Sequence, residues 1–234
     1  MRAARSFKRR DESLHMKDTE QALEYLVARL KASRAISSDR LERAFLEVPR
    51  HVFLPHVRTR IAYEDRAVVV KDDDHGVPLS SASQPTMVAE MLGQLCVEEG
   101  ARVLEVGTGT GYDAALLLEL VGASGSVVSV EIDGDLAEAA GENLDRSGHG
   151  RVEVVIGDGR LGYAPRAPYD RIIVTGGAHE IAEAWRDQLA DGGRLVVPLV
   201  DAWGLGVSVA FEKCGSQLLR QDEVPCAFIV LRSE

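Results

Sequence analysis

The sequence predicts an α/β fold: a Rossmann-like, doubly wound and mostly parallel sheet with helices on both faces, a helical segment before it and antiparallel strands after it. Three observations carry this. From Arg102 onward, short apolar runs alternate with amphipathic stretches, the mark of parallel strands joined by right-handed crossovers. The first run, Arg102-Val103-Leu104, passes through Glu105-Val106-Gly107-Thr108-Gly109-Thr110-Gly111 into a helical stretch from Tyr112 to Leu120. Acidic residues then recur at the ends of successive runs, at Glu105, Glu131 and Asp158.

The elements follow in order. Residues 1–17 read as a basic, solvated arm, with Arg2, Arg5, Lys8, Arg9 and Arg10 and no acid among the first ten. Residues 18–100 form a helical and substrate-loop segment. Its first helix spans Asp18 to Ala32, with Ala22, Leu23, Leu26, Val27 and Leu30 at helical spacing. Ser37 or Ser38 caps a second, which Pro49 ends. Val68-Val69-Val70 reads as a short strand, Lys71 to Gly76 as a polar loop, and Thr86 to Leu95 as a helix.

Residues 101–234 form the sheet-bearing core. After the first strand and helix come a strand from Ser126 to Ile132, a helix from Asp135 to Ser147 and a strand from Val152 to Ile156. Tyr169 to Thr175 is the fourth strand, Ile181 to Leu189 a helix, and Arg194 to Pro198 the fifth strand. Gly206–Glu212 and Gln217–Val224 read as a hairpin, and Ala227–Leu231 as a last strand.

The glycine turn implies a ligand. Glycine permits positive φ and close approach to the main chain, and a helix N-terminus presents free N–H groups. Three alternating glycines have no packing purpose visible in the sequence. A dinucleotide site needs G-x-G-x-x-G, and here Tyr112 stands where the third glycine would be, which disfavours a nicotinamide enzyme. Glu105 would repel a pyrophosphate and attract an ammonium group. Ligands of open α/β sheets lie outside the carboxyl ends of the strands, where Glu131 suits a ribose hydroxyl and Asp158 an adenine amino group.

Composition narrows the class. The chain of 234 residues has a formal net charge of −10, which argues against a nucleic-acid partner. Cys96, Cys214 and Cys226 form no C-x-x-C and read as small packing residues in a reducing compartment. No apolar run is long enough to span a bilayer and no secretory h-region follows the basic arm, so a cytoplasmic location and no membrane partner are expected; a monomer is expected as well. His51, His56, His75, His149 and His179 lack metal-ligand spacing, so no metal is expected. Trp185 reads as core, and Trp203 as a candidate lining of a peptide groove.

Several segments together resemble one family. They are Val48-Pro49-Arg50-His51-Val52-Phe53-Leu54-Pro55, Ala62-Tyr63-Glu64-Asp65-Arg66, Ser83-Gln84-Pro85, the glycine turn with Tyr112, Gly157-Asp158-Gly159, Ala167 to Thr175, and Gly192 to Pro198. In this order they are similar to the protein-L-isoaspartate O-methyltransferases, from about Leu41 to Pro198. The resemblance implies S-adenosylmethionine as cofactor, S-adenosylhomocysteine as product, and methyl transfer to the α-carboxylate of an isoaspartyl residue in a peptide or protein. The ester then closes to a succinimide, which opens partly to aspartate.

By the same resemblance Ser83 is the active-site serine, and Ser81, Ala82 and Ser83 meet the substrate. Ser80, Ser81, Glu105, Gly107, Thr108, Gly109, Thr110, Gly111, Glu131, Ile132, Asp158 and Gly159 are the expected cofactor residues. A carboxylate is ionised at neutral pH, so Ser83 need only orient it; the other reading of Ser83 is the N-cap of the Thr86 helix. Ser81 and Ala82 depart from the threonine and large aliphatic residue usual in the family. With Asp72-Asp73-Asp74 nearby, they point toward a second reading, a relative that methylates one aspartate of a ribosomally made peptide to form an aspartimide. A third is a cofactor-binding protein without catalysis.

Overall fold

The computed structural model describes residues 18–232; the expected basic arm, residues 1–17, lies outside them. Helix α1 spans 18–32 and α2 Asp39–Glu47, the latter capped by the Ser38 hydroxyl, which accepts from the Leu41 N–H. A short 3-10 turn, Arg50–Phe53, and a single turn α3, Thr59–Ala62, lead to a hairpin of β1, Val68–Asp72, and β2, Pro78–Ala82. The polar loop is therefore shorter than expected: Lys71 and Asp72 belong to β1, and Ser80 to Ala82 form part of its antiparallel partner.

Helix α4, Pro85–Leu95, follows at once. Its N-cap position is Gln84, which supplies no side-chain cap. The capping bonds come instead from Asp65, which accepts from the Thr86 N–H at 2.9 Å and the Thr86 hydroxyl at 2.7 Å. Ser83 is thus released from the capping role that the sequence allowed it.

The remaining elements are β3 (Arg102–Val106), α5 (Tyr112–Val121), β4 (Ser126–Glu131), α6 (Gly134–Arg146), β5 (Glu153–Ile156), β6 (Tyr169–Val174), α7 (Glu183–Gln188), β7 (Leu189–Val200), β8 (Leu205–Cys214) and β9 (Gln217–Ala227). The seven-stranded sheet runs β5-β4-β3-β6-β7-β8-β9. The first five strands are parallel, and β8 and β9 add antiparallel. The chain reverses its direction of winding between β3 and β6, which places a ligand crevice beyond their carboxyl ends.

Two expectations change at the end of the chain. The fifth strand starts at Leu189 rather than Arg194, directly after α7. Residues 227–231 are not a separate strand: β9 continues through Ala227, and the chain then lies along the β6–α7 connection. There Gly177 donates to the Ile229 carbonyl and Leu231 to the Gly177 carbonyl, each at 2.8 Å.

One apolar core underlies both the helical segment and one face of the sheet. It joins Leu26, Leu30, Phe45 and Phe53 to Leu92, Leu95, Leu116, Leu117 and Val103. A second cluster, with Leu104, Val106, Ile172, Val174 and Trp185, fills the other face. Helix α5 is apolar nearly all round because it is packed on both sides. The cysteines are not packing residues: Cys96 and Cys214 are exposed and Cys226 is half-buried.

The long-range cap sets a test. Asp65→Ala should lower unfolding free energy by about 0.5–2 kcal/mol, the cost of a lost N-cap. Urea denaturation checks this, and an unchanged midpoint would show that water replaces the carboxylate at no cost.

Candidate active site

Three left-handed backbone positions shape the turn after β3, at Gly107 (φ +100°), Gly109 (φ +53°) and Gly111 (φ +85°). Their roles differ. A Cβ at Gly107 would stand 2.8 Å from the Thr175 Oγ1, and one at Gly111 would meet Leu144 and the Ala140 carbonyl at 3.2–3.3 Å. These two glycines do have a packing purpose, which the sequence did not reveal: one admits the end of β6, the other admits α6. Only Gly109 opens outward, with Ser80 Oγ the nearest atom to its absent Cβ at 3.7 Å.

A cavity of about 1010 Å³ lies against this turn, at the upper end for a single small-ligand site. Ser80, Ser81, Ala82 and Ser83 line it from the hairpin side; Gly107, Thr108, Gly109, Thr110, Glu131 and Ile132 line it from the sheet side. A smaller cavity shares Gly107, Glu131 and Ile132 and adds Asp158 and Gly159. Glycine is required at 159, where a Cβ would lie 2.4 Å from Val106 Cγ1.

Two expected cofactor residues stand off these walls. Gly111 is a packing position. Glu105 is wholly buried beneath the turn, because β3 is central and covered on both faces. It accepts a hydrogen bond from Ser129, whose hydroxyl is 2.6 Å from that of Thr108. Its Oε1 has no partner among the described residues. Burial, reinforced by Asp113, holds its carboxyl well above the usual range. Asp158 is also not free: Arg160 pairs with it at 2.6 Å and holds its carboxyl below the usual range.

Glu131 sits where the sequence placed it. Its carboxylate accepts from the Gly109 N–H at 2.9 Å and the Asp133 N–H at 3.1 Å. Beyond it, Asp133 caps α6 and binds Lys71 of β1 at 2.6 Å and Arg232 at 3.2 Å. This shared carboxylate ties the hairpin and the C-terminal segment to the sheet.

Other wall residues escaped sequence reasoning: Arg50, Asp113, and Phe228 through Arg232. Only the V-P-R-H segment hinted at the first. Trp203 lines the cavity and is 85% exposed, an open apolar surface at its rim. Trp185, by contrast, is core, donating its indole N–H to the Gly159 carbonyl at 2.8 Å. Among the described residues no cluster of three or more His, Cys, Asp or Glu could hold a metal ion, and no helix is long and apolar enough to cross a membrane.

Asp113 gives a pH test. Burial raises its carboxyl to about 6, and the Arg50 charge pulls it partly back. The unfolded group ionises near 4. Its stabilising contribution is therefore complete below that pH and is lost as pH rises toward 6. Asp113→Asn should gain stability relative to the parent as pH rises from about 4 to about 6, the more so because it also removes one cause of the raised Glu105 carboxyl. Denaturation midpoints of both proteins across that range check this; a constant difference would refute the assignment.

The comparisons with known proteins agree with this architecture. The family model "Protein-L-isoaspartate(D-aspartate) O-methyltransferase (PCMT)" matches residues 20–234. The chain is 40% identical over 218 residues to the protein-L-isoaspartate O-methyltransferase of Methanopyrus kandleri, covering 92% of each. It is 38% identical over 222 residues to that of Hyperthermus butylicus, covering 92% of this chain and 90% of the other. A solved protein-L-isoaspartate O-methyltransferase superposes with a TM-score of 0.82 at 37% identity, over 90% of this chain and 66% of that one. A Plasmodium falciparum structure, described as a putative member in complex with S-adenosyl-L-homocysteine, shares the fold with a TM-score of 0.73 at 23% identity, over 92% and 98%. The chain belongs to the protein-L-isoaspartate(D-aspartate) O-methyltransferase family.

Proposed function

We infer that the chain is an S-adenosylmethionine-dependent carboxyl methyltransferase acting on L-isoaspartyl residues of peptides or proteins. One observation carries the reading beyond family membership. A single cavity joins the open glycine of the sheet side to Ser83, whose hydroxyl makes no hydrogen bond to any described residue.

The cavity suits the cofactor. Gly109 leaves the main chain open where a side chain would reach toward Ser80. Glu131, its oxygens already oriented by two backbone N–H groups, presents a fixed acceptor for ribose hydroxyls. Ile132 and Gly159 offer apolar and open wall to the base. Glu105 and Ser129 act one layer below, holding Thr108. When bound, S-adenosylmethionine supplies an activated methyl group on a sulfonium centre.

The protein's own task is then small. An acceptor carboxylate is already ionised, so no general base is required. The site must align the acceptor and keep water away. Ser83 donates its free hydroxyl to the carboxylate and fixes which oxygen faces the methyl group. Ser81 and Ala82 lie on β2 beside it and line the same cavity. The exposed Trp203 and the half-exposed Val69 and Val77 offer apolar rim to the flanking residues of a peptide. The ester formed closes to a succinimide by attack of the neighbouring backbone nitrogen, with loss of methanol.

Three measurements test this. Mass spectrometry of matched isoaspartyl and aspartyl peptides, incubated with enzyme and S-adenosylmethionine, should show a methyl adduct or succinimide from the isoaspartyl form only; modification of the aspartyl form alone would overturn the reading. Ser83→Ala should lower kcat by roughly ten- to a hundred-fold, the value of a hydrogen bond to a charged group, and leave S-adenosylhomocysteine affinity within a few-fold. Gly109→Val should abolish that affinity in calorimetry, since a β-branched residue is strained at φ +53° and its side chain would enter the cavity; undiminished binding would move the cofactor elsewhere.

A further inference from the structure

We propose that Arg50 is a positioning residue for the reaction: it acts through the main chain of Ala82 and Ser83 to hold the Ser83 hydroxyl toward the acceptor. This rests on the reading of Ser83 given above.

Arg50 is the largest charged side chain in the interior, with no exposed surface. An arginine is rarely placed so deep without a carboxylate partner. Among the described residues none lies within ion-pair distance of it; Asp65 and Asp113 act only at longer range. Its hydrogen bonds go to main-chain carbonyls instead. Nε donates to Ala62 at 3.0 Å, and Nη2 donates to Ser83 at 2.7 Å and to Ala82 at 3.4 Å. The guanidinium carbon lies 4.9 Å from the centre of the Tyr112 ring, within reach of a cation–π contact. Phe53 meets the same ring edge-on.

Arg50 therefore joins three regions distant in sequence. Ala62 precedes the segment bearing Asp65, Ser83 follows β2, and Tyr112 opens the helix after the glycine turn. A hydroxyl on a strand-to-helix junction is aimed by its backbone. The Asp65–Thr86 bonds fix that junction from the helix side, and Arg50 fixes it from the strand side. A planar fork can hold both flanks at once, whereas a lysine offers a single point of charge. Its remaining donor, Nη1, has no partner among the described residues. This cost is unexplained if Arg50 is only a packing residue, but acceptable if the carbonyl of Ser83 must be held.

The test is a double-mutant cycle with a structural readout. Arg50→Lys should lower kcat roughly ten- to a hundred-fold, the effect of a small misplacement of a reacting group, with S-adenosylhomocysteine affinity held within a few-fold. Added to Ser83→Ala, it should lower kcat by less than about two-fold, since a residue acting through Ser83 has nothing left to position. Amide exchange at Ala82, Ser83 and Gln84 should quicken in Arg50→Lys while β3 and β4 remain protected.

An equal fall in kcat with and without Ser83 would overturn the proposal, as would unchanged kcat. Arg50→Gln, which keeps one amide donor, serves as a second variant; loss of the folded state in both would make Arg50 a core residue and nothing more. Full activity of Ser83→Ala alone would remove the reading of Ser83, whereas undisturbed exchange at residues 82–84 in Arg50→Lys would remove the role of Arg50 only.

Discussion

The backbone between β3 and α5 turns left-handed at every second residue, and most of the molecule around it serves to hold that path. Thr175, at the end of β6, donates to the carbonyls of Val106 and Gly107. Asn143 of α6 holds the Thr110 carbonyl at 3.0 Å. Glu131 takes the Gly109 N–H, and the Thr108–Ser129–Glu105 relay holds the turn from below. The supports come from three further elements, β4, β6 and α6, so the turn depends on all of them together. Its shape is a property of the whole sheet rather than of the local sequence.

The acceptor side is built on another principle. The hairpin and the start of α4 lie outside the main sheet and take their position from long-range bonds by Arg50, Asp65 and Lys71. These fasteners are polar and partly or wholly desolvated, where a hydrogen bond is strong if made and costly if left unmade. That gives definite geometry to a segment with little apolar surface of its own. The small cluster of Leu54, Ala62 and Ala82 adds only a modest anchor.

What was legible in the sequence follows from this contrast. Strand and helix order in the sheet could be read because periodicity is local. The glycine turn was found for the same reason, and Glu131 followed from its place at a strand end. The interior position of Glu105 was hidden, because it depends on which strand is central. The packing roles of Gly107 and Gly111 were hidden by the distance to Thr175 and Leu144. The capping of α4 by Asp65 crosses 21 residues. A strand-like pattern at residues 227–231 gave the wrong element, because that segment pairs with a loop rather than with the sheet.

The C-terminal segment has a consequence for how the two sides of the site are spaced. Phe228 to Arg232 form one wall of the cavity, and Arg232 meets Lys71 of the hairpin on Asp133, which also caps α6. Two walls drawn from distant parts of the sequence thus answer to one carboxylate that does not itself line the cavity. The gap between them is set from outside, as a clasp sets the span of a ring.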